Sequence, residues 1–262
     1  HGVDEPMALT DVLDSLDERV EANDHFEFWT FPHSPVAITR TNNRTEAPAR
    51  PESPARKYVS EVLLENRAFQ ALSLTARRWP RTIPWVCRTA GAAASRRERV
   101  DWSFEIFATE RLVRFTEMEY AIPREHAREA VLAVDEILAR HPVSFPLELR
   151  FVADDDALLS PAHGRDTAYV AVHAFHGMPY EAPFREVESL MAGWGGRPHW
   201  GKRSFLGAAE LAGRYPRWDD WQAVRAELDP DNRFLNDWAR RVIGSSDPRP
   251  GRSEPSRSPA RL

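Results

Sequence analysis

The sequence predicts an α+β fold: an antiparallel sheet with helices packed on one face, followed by carboxy-terminal helices. Three observations predict it. From about residue 100 to 195 the chain reads strand, strand, helix, strand, strand, helix, an order in which antiparallel strands share one helical layer. Residues 146–152 alternate, so that Leu147, Leu149 and Phe151 lie on one face and Glu148 and Arg150 on the other. Between residues 123 and 140, Val131, Leu132, Val134 and Ile137 form an apolar stripe at helical spacing.

The elements follow in order. Thr10 is a fitting N-cap and Asn23 a fitting stop for a helix over 10–21, with Leu13, Leu16 and Val20 on one side. Residues 25–31 and 36–41 read as strands separated by Pro35. Residues 46–56 have the composition of a linker. The pattern over 57–95 is helical, broken at Pro80 and Pro84, with Leu63, Leu64, Phe69, Leu72 and Leu74 as core candidates. Residues 102–107 and 112–122 read as a hairpin, and Pro123 opens the helix that His141-Pro142 ends. Strands over 146–152 and 168–175 and a helix over 183–194 complete the series. After it come a loop or short helix over 203–211, a helix over 216–228, a turn at 229–232 and a helix over 234–243 stopped by Gly244. A single unit over 1–244 is expected. Residues 245–262 carry almost no apolar side chains and are expected to be disordered.

Composition narrows the function. A net charge of −5 and a pI near 6.0 argue against a general nucleic-acid binder. Arginines at 77, 78, 81, 88, 96, 97 and 99 read as a solvated helical face, with a docking patch for anionic lipid or a partner as the lesser alternative. One cysteine, Cys87, leaves no disulfide framework within the chain. The apolar runs are too short to span a membrane and no secretory signal is visible, so a cytoplasmic or peripheral-membrane setting is expected. The chain opens on His1 rather than Met, which reads as the middle of a longer polypeptide.

The residues with chemical promise lie between 148 and 202. Glu148 and Arg150 sit about 7 Å apart on one strand face, a separation suited to a polyhydroxylated ligand. His173 shares its face with Tyr169 and Ala171. The loop Gly195-Gly196-Arg197-Pro198-His199-Trp200-Gly201-Lys202 delivers His199 and Lys202, its glycines permitting positive φ or close backbone approach. Glu117 and Glu119 share a strand face, where a solvated pair is the favoured reading over a part in the same cleft. A hydrolase using Glu148 with Asp154, Asp155 or Asp156 lacks two facing carboxylates at a defined separation. A metal site is not expected, since His173 and His176 fall on opposite strand faces.

That loop, together with Leu-Asp-Pro-Asp-Asn-Arg-Phe-Leu-Asn-Asp at 228–237, resembles the carboxy-terminal half of the sugar-1,4-lactone oxidases. These are the D-arabinono-1,4-lactone, L-gulono-1,4-lactone and alditol oxidases of the vanillyl-alcohol-oxidase flavoproteins. Phe31-Pro32-His33, Asn42-Asn43-Arg44-Thr45, Glu117-Met118-Glu119-Tyr120 and residues 169–179 agree as well, and the likeness runs from residue 5 to 244. It implies the cap domain of that fold. The activity it implies is an FAD-dependent oxidase that takes a hydride from a carbinol carbon of a sugar lactone or polyol, with oxygen as electron acceptor. By resemblance Glu148, Arg150, His173 and Lys202 are the catalytic set, His173 being the first guess for the group that takes the proton. His199, Lys202, Asn43 and Arg44 fall on the cofactor side. The glycine-rich loop that holds the flavin pyrophosphate in such enzymes is missing from this sequence. An FAD-binding domain in cis or trans is therefore an expected partner, with apolar surface for it around Trp194, Trp200 and Trp218. The alternative is a non-catalytic remnant that acts as a binding module.

Overall fold

The computed structural model describes residues 1–244, so the expectation for 245–262 lies outside the described residues. Eight strands form one sheet: β1 (Gly2–Ala8), β2 (His25–Thr30), β3 (Val36–Asn42), β4 (Arg97–Arg99), β5 (Phe115–Pro123), β6 (Leu147–Val152), β7 (Thr167–Phe175) and β8 (Arg197–Pro198). Their order is β4-β1-β3-β2-β6-β7-β5-β8, and every pairing is antiparallel.

Register divides the sheet into two unlike faces. Thr39, Phe28, Leu149, Val170 and Tyr120 are successive cross-strand neighbours on one of them, all buried. The helices Leu9–Asp14, Leu16–Glu21, Ala127–Arg140 and Glu181–Gly193 pack against the strands, as the α+β expectation required. The hydroxyl of Tyr120 reaches Glu188 of the last of these helices. The opposite face carries charge. Asp4, Arg40, Glu27 and Arg150 follow one another across β1, β3, β2 and β6, so sign alternates from strand to strand. At one end of the sheet a second apolar cluster forms from Phe31, Phe145 and Phe175 with Ile83, Val86 and Cys87 of the helix Ile83–Ala92.

Several elements differ from the sequence reading. β1 was not foreseen, because Asp4, Glu5 and Pro6 argue against an inner strand. β4 pairs only with Gly2, Val3 and Asp4, so the missing N–H of Pro6 falls beyond that ladder. Residues 102–107 are not half of a hairpin: Ser103–Phe107 is a short helix, and β5 pairs with β7 and β8. A short apolar run does not distinguish the two. Over Tyr58–Ala68 the chain takes wide π-type turns, which change the angular step and so the face each residue occupies. Glu61 and Asn66 are buried there, while Leu63 and Leu64 are exposed, as is Leu74 in the helix that follows. Asn66 is stitched to the segment beside it, its Nδ2 donating to Glu110 O at 3.0 Å and its Oδ1 accepting from Leu112 N–H at 2.7 Å. Leu132 also faces out, and Ala130 and Leu138 take its place in the stripe. Arg97 and Arg99 belong to β4 and are largely buried rather than on a solvated helix.

Among the described residues, 206–244 form a separate compact unit. It contains the helices Ala208–Ala212, Trp218–Leu228 and Asp237–Ile243, the last ending at Gly244 with φ of 72°. Trp218 is buried within it, and Trp194 and Trp200 of the first unit are half-buried. The large exposed apolar side chains lie elsewhere, at Trp79, Trp85, Trp102 and Phe104 among others. No helix among the described residues is long and apolar enough to cross a membrane.

Candidate active site

Three neighbouring strands build the site on the charged face. Glu117 stands opposite His173 in the β5–β7 register, and Glu119 and Glu148 both stand opposite Ala171, so the small alanine separates two carboxylates. Arg150 stands opposite Tyr169. A fourth segment closes the group. Beyond β8 the chain keeps hydrogen-bonding to β5, with His199 N–H donating to Glu119 O and Arg203 N–H to Glu117 O, both at 2.9 Å. Lys202 is thereby held over the two residues whose carboxylates it meets.

The side chains interlock. Lys202 Nζ lies 2.5 Å from Glu117 Oε1 and 2.6 Å from Glu119 Oε2. The other oxygen of Glu119 accepts from Arg150 Nη2 at 2.7 Å. Arg150 Nε lies 3.3 Å from Glu148 Oε1. His173 Nδ1 is 2.9 Å from Pro146 O, which can only accept, so Nδ1 carries a proton. His173 Nε2 then faces Glu117 at 3.3 Å and Glu148 at 3.8 Å. Phe115 meets the imidazole edge-on at a centroid distance of 5.2 Å. The floor is dry and the top is not: the Glu119 side chain is 2% exposed and that of Arg150 is 38% exposed.

Electrostatics follow from that packing. Burial would raise the pKa of Glu117, but hydrogen bonds and charge from His173 and Lys202 outweigh it and bring the carboxyl down to about 2. Burial works against the charge of Arg150 too, and Glu148, Glu119, Glu27 and Glu117 offset it and raise its pKa. Glu27 is displaced upward by burial, with Glu148 adding to the shift and Arg40 and Arg150 opposing it. One ligand atom each from Glu117, Glu148 and His173 would lie close enough together to hold a cation, all within 4.8 Å of one another. The ammonium of Lys202 already takes that role against Glu117.

Of the residues singled out in the sequence, Glu148, Arg150, His173 and Lys202 come together. His199 is close by in the chain, half-buried, its Nδ1 accepting from Gly201 N–H at 3.0 Å. Asn43 and Arg44 do not join them. They follow the end of β3, where Asn43 bonds Asn23 and Asp24, and Arg44 N–H donates to Asp24. Glu117 and Glu119, read as a solvated pair, are instead integral to the cluster. Pairing with β7, which sets Glu117 beside His173 and Glu119 beside Ala171, was the missing signal. The loop glycines serve the helix end: Gly195 has φ of 61°, and Gly196 N–H donates to Met191 O at 2.9 Å.

An antiparallel α+β sheet of this kind is shared with solved oxidase structures. Cholesterol oxidase from Brevibacterium sterolicum superposes with a TM-score of 0.66 at 16% identity, over 92% of this chain and 59% of that one. Residues 1–242 match the D-arabinono-1,4-lactone oxidase family, and the chain belongs to it. An L-gulono-1,4-lactone dehydrogenase of Mycobacterium tuberculosis is 47% identical over 93% of this chain and 57% of its own length. The L-gulonolactone oxidase of Mus musculus is 30% identical over 91% of this chain and 56% of its own. An alditol oxidase from Streptomyces is 42% identical over 48% of this chain and 31% of its own. The chain thus spans little more than half the length of the first two relatives.

Proposed function

We propose that this chain is the substrate-binding part of an FAD-dependent oxidoreductase that removes a hydride from a CH–OH carbon of a sugar lactone or polyol. The observation that carries this reading is the convergence of Glu148, Arg150, Lys202 and His173, joined by Glu117 and Glu119, on one sheet face. The relatives' names, for L-gulono-1,4-lactone and for alditols, support the substrate class.

Loss of a hydride requires the hydroxyl proton to leave and negative charge to be held nearby. Arg150, the most exposed member of the cluster, donates to a substrate oxygen. Glu148 accepts from a substrate hydroxyl through Oε2, the oxygen farther from Arg150 in its ion pair. Lys202 supplies fixed positive charge. His173 has Nδ1 engaged by Pro146 and Nε2 turned to two carboxylates, so it orients Glu148 and Glu117 rather than taking the proton.

When bound, FAD accepts the hydride. The donor set fits the polar edge of its ring system, with Arg150, Lys202 and the half-buried Tyr169 and His199 close together in the fold. It does not fit the pyrophosphate, because Gly195 and Gly196 close a helix end and Gly201 N–H is spent on His199. That part of the cofactor is held by polypeptide outside this sequence, in cis or in trans, which Asn43 and Arg44 at the β3 end would meet.

A second reading concerns the acceptor. The 47% identical relative is named a dehydrogenase and the mouse protein an oxidase, which favours a carrier other than oxygen here. The experiment joins this chain to the part of the mycobacterial relative that this chain does not cover, with FAD supplied. It then follows dye reduction and oxygen uptake with L-gulono-1,4-lactone and with alditols. Dye reduction that Arg150→Met and Lys202→Met abolish is the expected result. A folded, flavin-loaded hybrid that turns over no lactone or alditol would sink the proposal.

A further inference from the structure

Phe115 is 39% exposed, yet other rings hold it in place. Its ring lies 5.2 Å from that of His173, nearly perpendicular, and 5.8 Å from that of Phe145. Phe145 in turn meets Phe69 at 4.9 Å and Phe175 at 6.0 Å between centroids. Phe175 is also the cross-strand partner of Phe115. Strand alternation puts Phe115, Glu117 and Glu119 on one face, so the exposed ring stands on the same surface as the charged cluster. A braced apolar ring left open beside buried charge is a contact surface for a ligand that is polar on one side only.

The boundary between the two regions is sharp. Phe115 and Glu117 are two residues apart on β5, about 7 Å at strand spacing. The rings around Phe115 offer a hydroxyl nothing to bond. Phe145 and Phe175 carry no polar side-chain atom, and His173 Nδ1 is spent on Pro146 O. A hydroxyl pressed onto Phe115 would lose its water without a replacement, which is unfavourable. Glu148 and Arg150, by contrast, can accept from and donate to ligand oxygens.

Resting on the oxidoreductase reading above, we infer that Phe115 sets the substrate class of this site, selecting a compact lactone ring over an open-chain alditol. A five-membered lactone ties its carbons into a ring whose C–H bonds can gather on one side. That side lies on Phe115 while the hydroxyls at the rim reach Glu148 and Arg150. An alditol carries a hydroxyl on every carbon, so any stretch of it laid along the cluster brings a hydroxyl over the phenyl ring. Phe115 is thereby a specificity-determining residue and takes no part in the chemical step.

Two measurements test this. The first is saturation-transfer NMR on the 262-residue chain, irradiating aromatic protons and observing the C–H protons of L-gulono-1,4-lactone or of sorbitol, an alditol with the same number of carbons. The lactone should receive about threefold more transfer than sorbitol, an advantage that Phe115→Ala removes and Phe115→Tyr retains. The second uses the flavin-loaded hybrid, where Phe115→Ala should lower kcat/KM for the lactone about tenfold and for sorbitol by about twofold or less. Equal transfer to the two ligands, or an equal fall in both kcat/KM values, overturns the role of Phe115 and leaves the oxidoreductase reading standing. A hybrid inert towards both ligands overturns that reading instead, and the NMR comparison then decides whether Phe115 prefers the ring. Should Phe115→Ala not fold, Phe115→Leu takes its place in the kinetics, and a hybrid that prefers sorbitol before any substitution is equally fatal.

Discussion

Lys202 places its ammonium 2.6 Å from a carboxylate oxygen of Glu119, a residue whose side chain is 2% exposed. A buried acid of this kind persists only with its charge compensated, and here compensation comes from two cations, Lys202 below and Arg150 above. Arg150, the more exposed cation, is the one proposed to meet ligand, and Lys202, at 18% exposed, holds the buried carboxylate from the other side.

Lys202→Met removes that floor. Glu119 keeps Arg150 and Glu117 keeps His173, so the loss should be partial, about 2 kcal/mol by the scale of charged hydrogen bonds. Urea unfolding of the variant measures it. In a flavin-loaded hybrid the same change should lower turnover by about a hundredfold or more, as for other fixed donors to developing charge.

Acid should destabilise the protein through Glu117. Its folded pKa, about 2, lies below its ordinary value of 4.5, so the unfolded chain takes up the proton first. The stabilisation is complete above pH 4.5 and is lost as pH falls towards 2. Unfolding curves collected across that window should be flatter for Glu117→Gln than for the unmodified protein. Identical slopes would contradict the assignment.

Asp135 should act in the opposite sense. Burial, with a contribution from Glu136, raises its pKa from 3.8 to about 6, and its Oδ1 is buried without a hydrogen-bond partner. The folded state therefore holds the proton more tightly, and stability falls as pH rises from 3.8 to 6. Asp135→Asn should raise stability at pH 7 by about 1 kcal/mol, discounted for partial exposure. Melting temperatures compared at pH 4 and pH 7 provide the check, with the gain confined to the higher pH.

Gly196→Ala should disturb the site from a distance. A Cβ there would fall 2.7 Å from Met191 O, a backbone atom that cannot move aside without opening the helix end. A cost of about 1–3 kcal/mol is expected, by the scale of overpacked substitutions. Lys202 should lose its register over Glu117 and Glu119, which a fall in turnover larger than that of Gly193→Ala would reveal. Gly193 has nothing within 4 Å of the corresponding position.

Legibility varied with the range of the interaction. The strands carrying Glu148, Arg150 and His173 were read within a residue or two, because alternation is a local property of the chain. Tyr58–Ala68 was read on the wrong face because a wide-turn helix does not keep the usual angular step. Glu117 and Glu119 were undervalued for another reason. Their spacing alone is that of any solvated pair, and only pairing with β7 sets one of them beside His173.

What this sequence determined by itself is the family, the antiparallel α+β architecture and the face on which each β6 and β7 side chain lies, all carried by motifs and short-range periodicity. Which carboxylate holds which cation was decided by the tertiary structure alone. Glu119 meets Arg150 across 31 residues and Lys202 across 83, and such choices depend on strand order and register. Those are set by the packing of the whole sheet, not by any one segment of it.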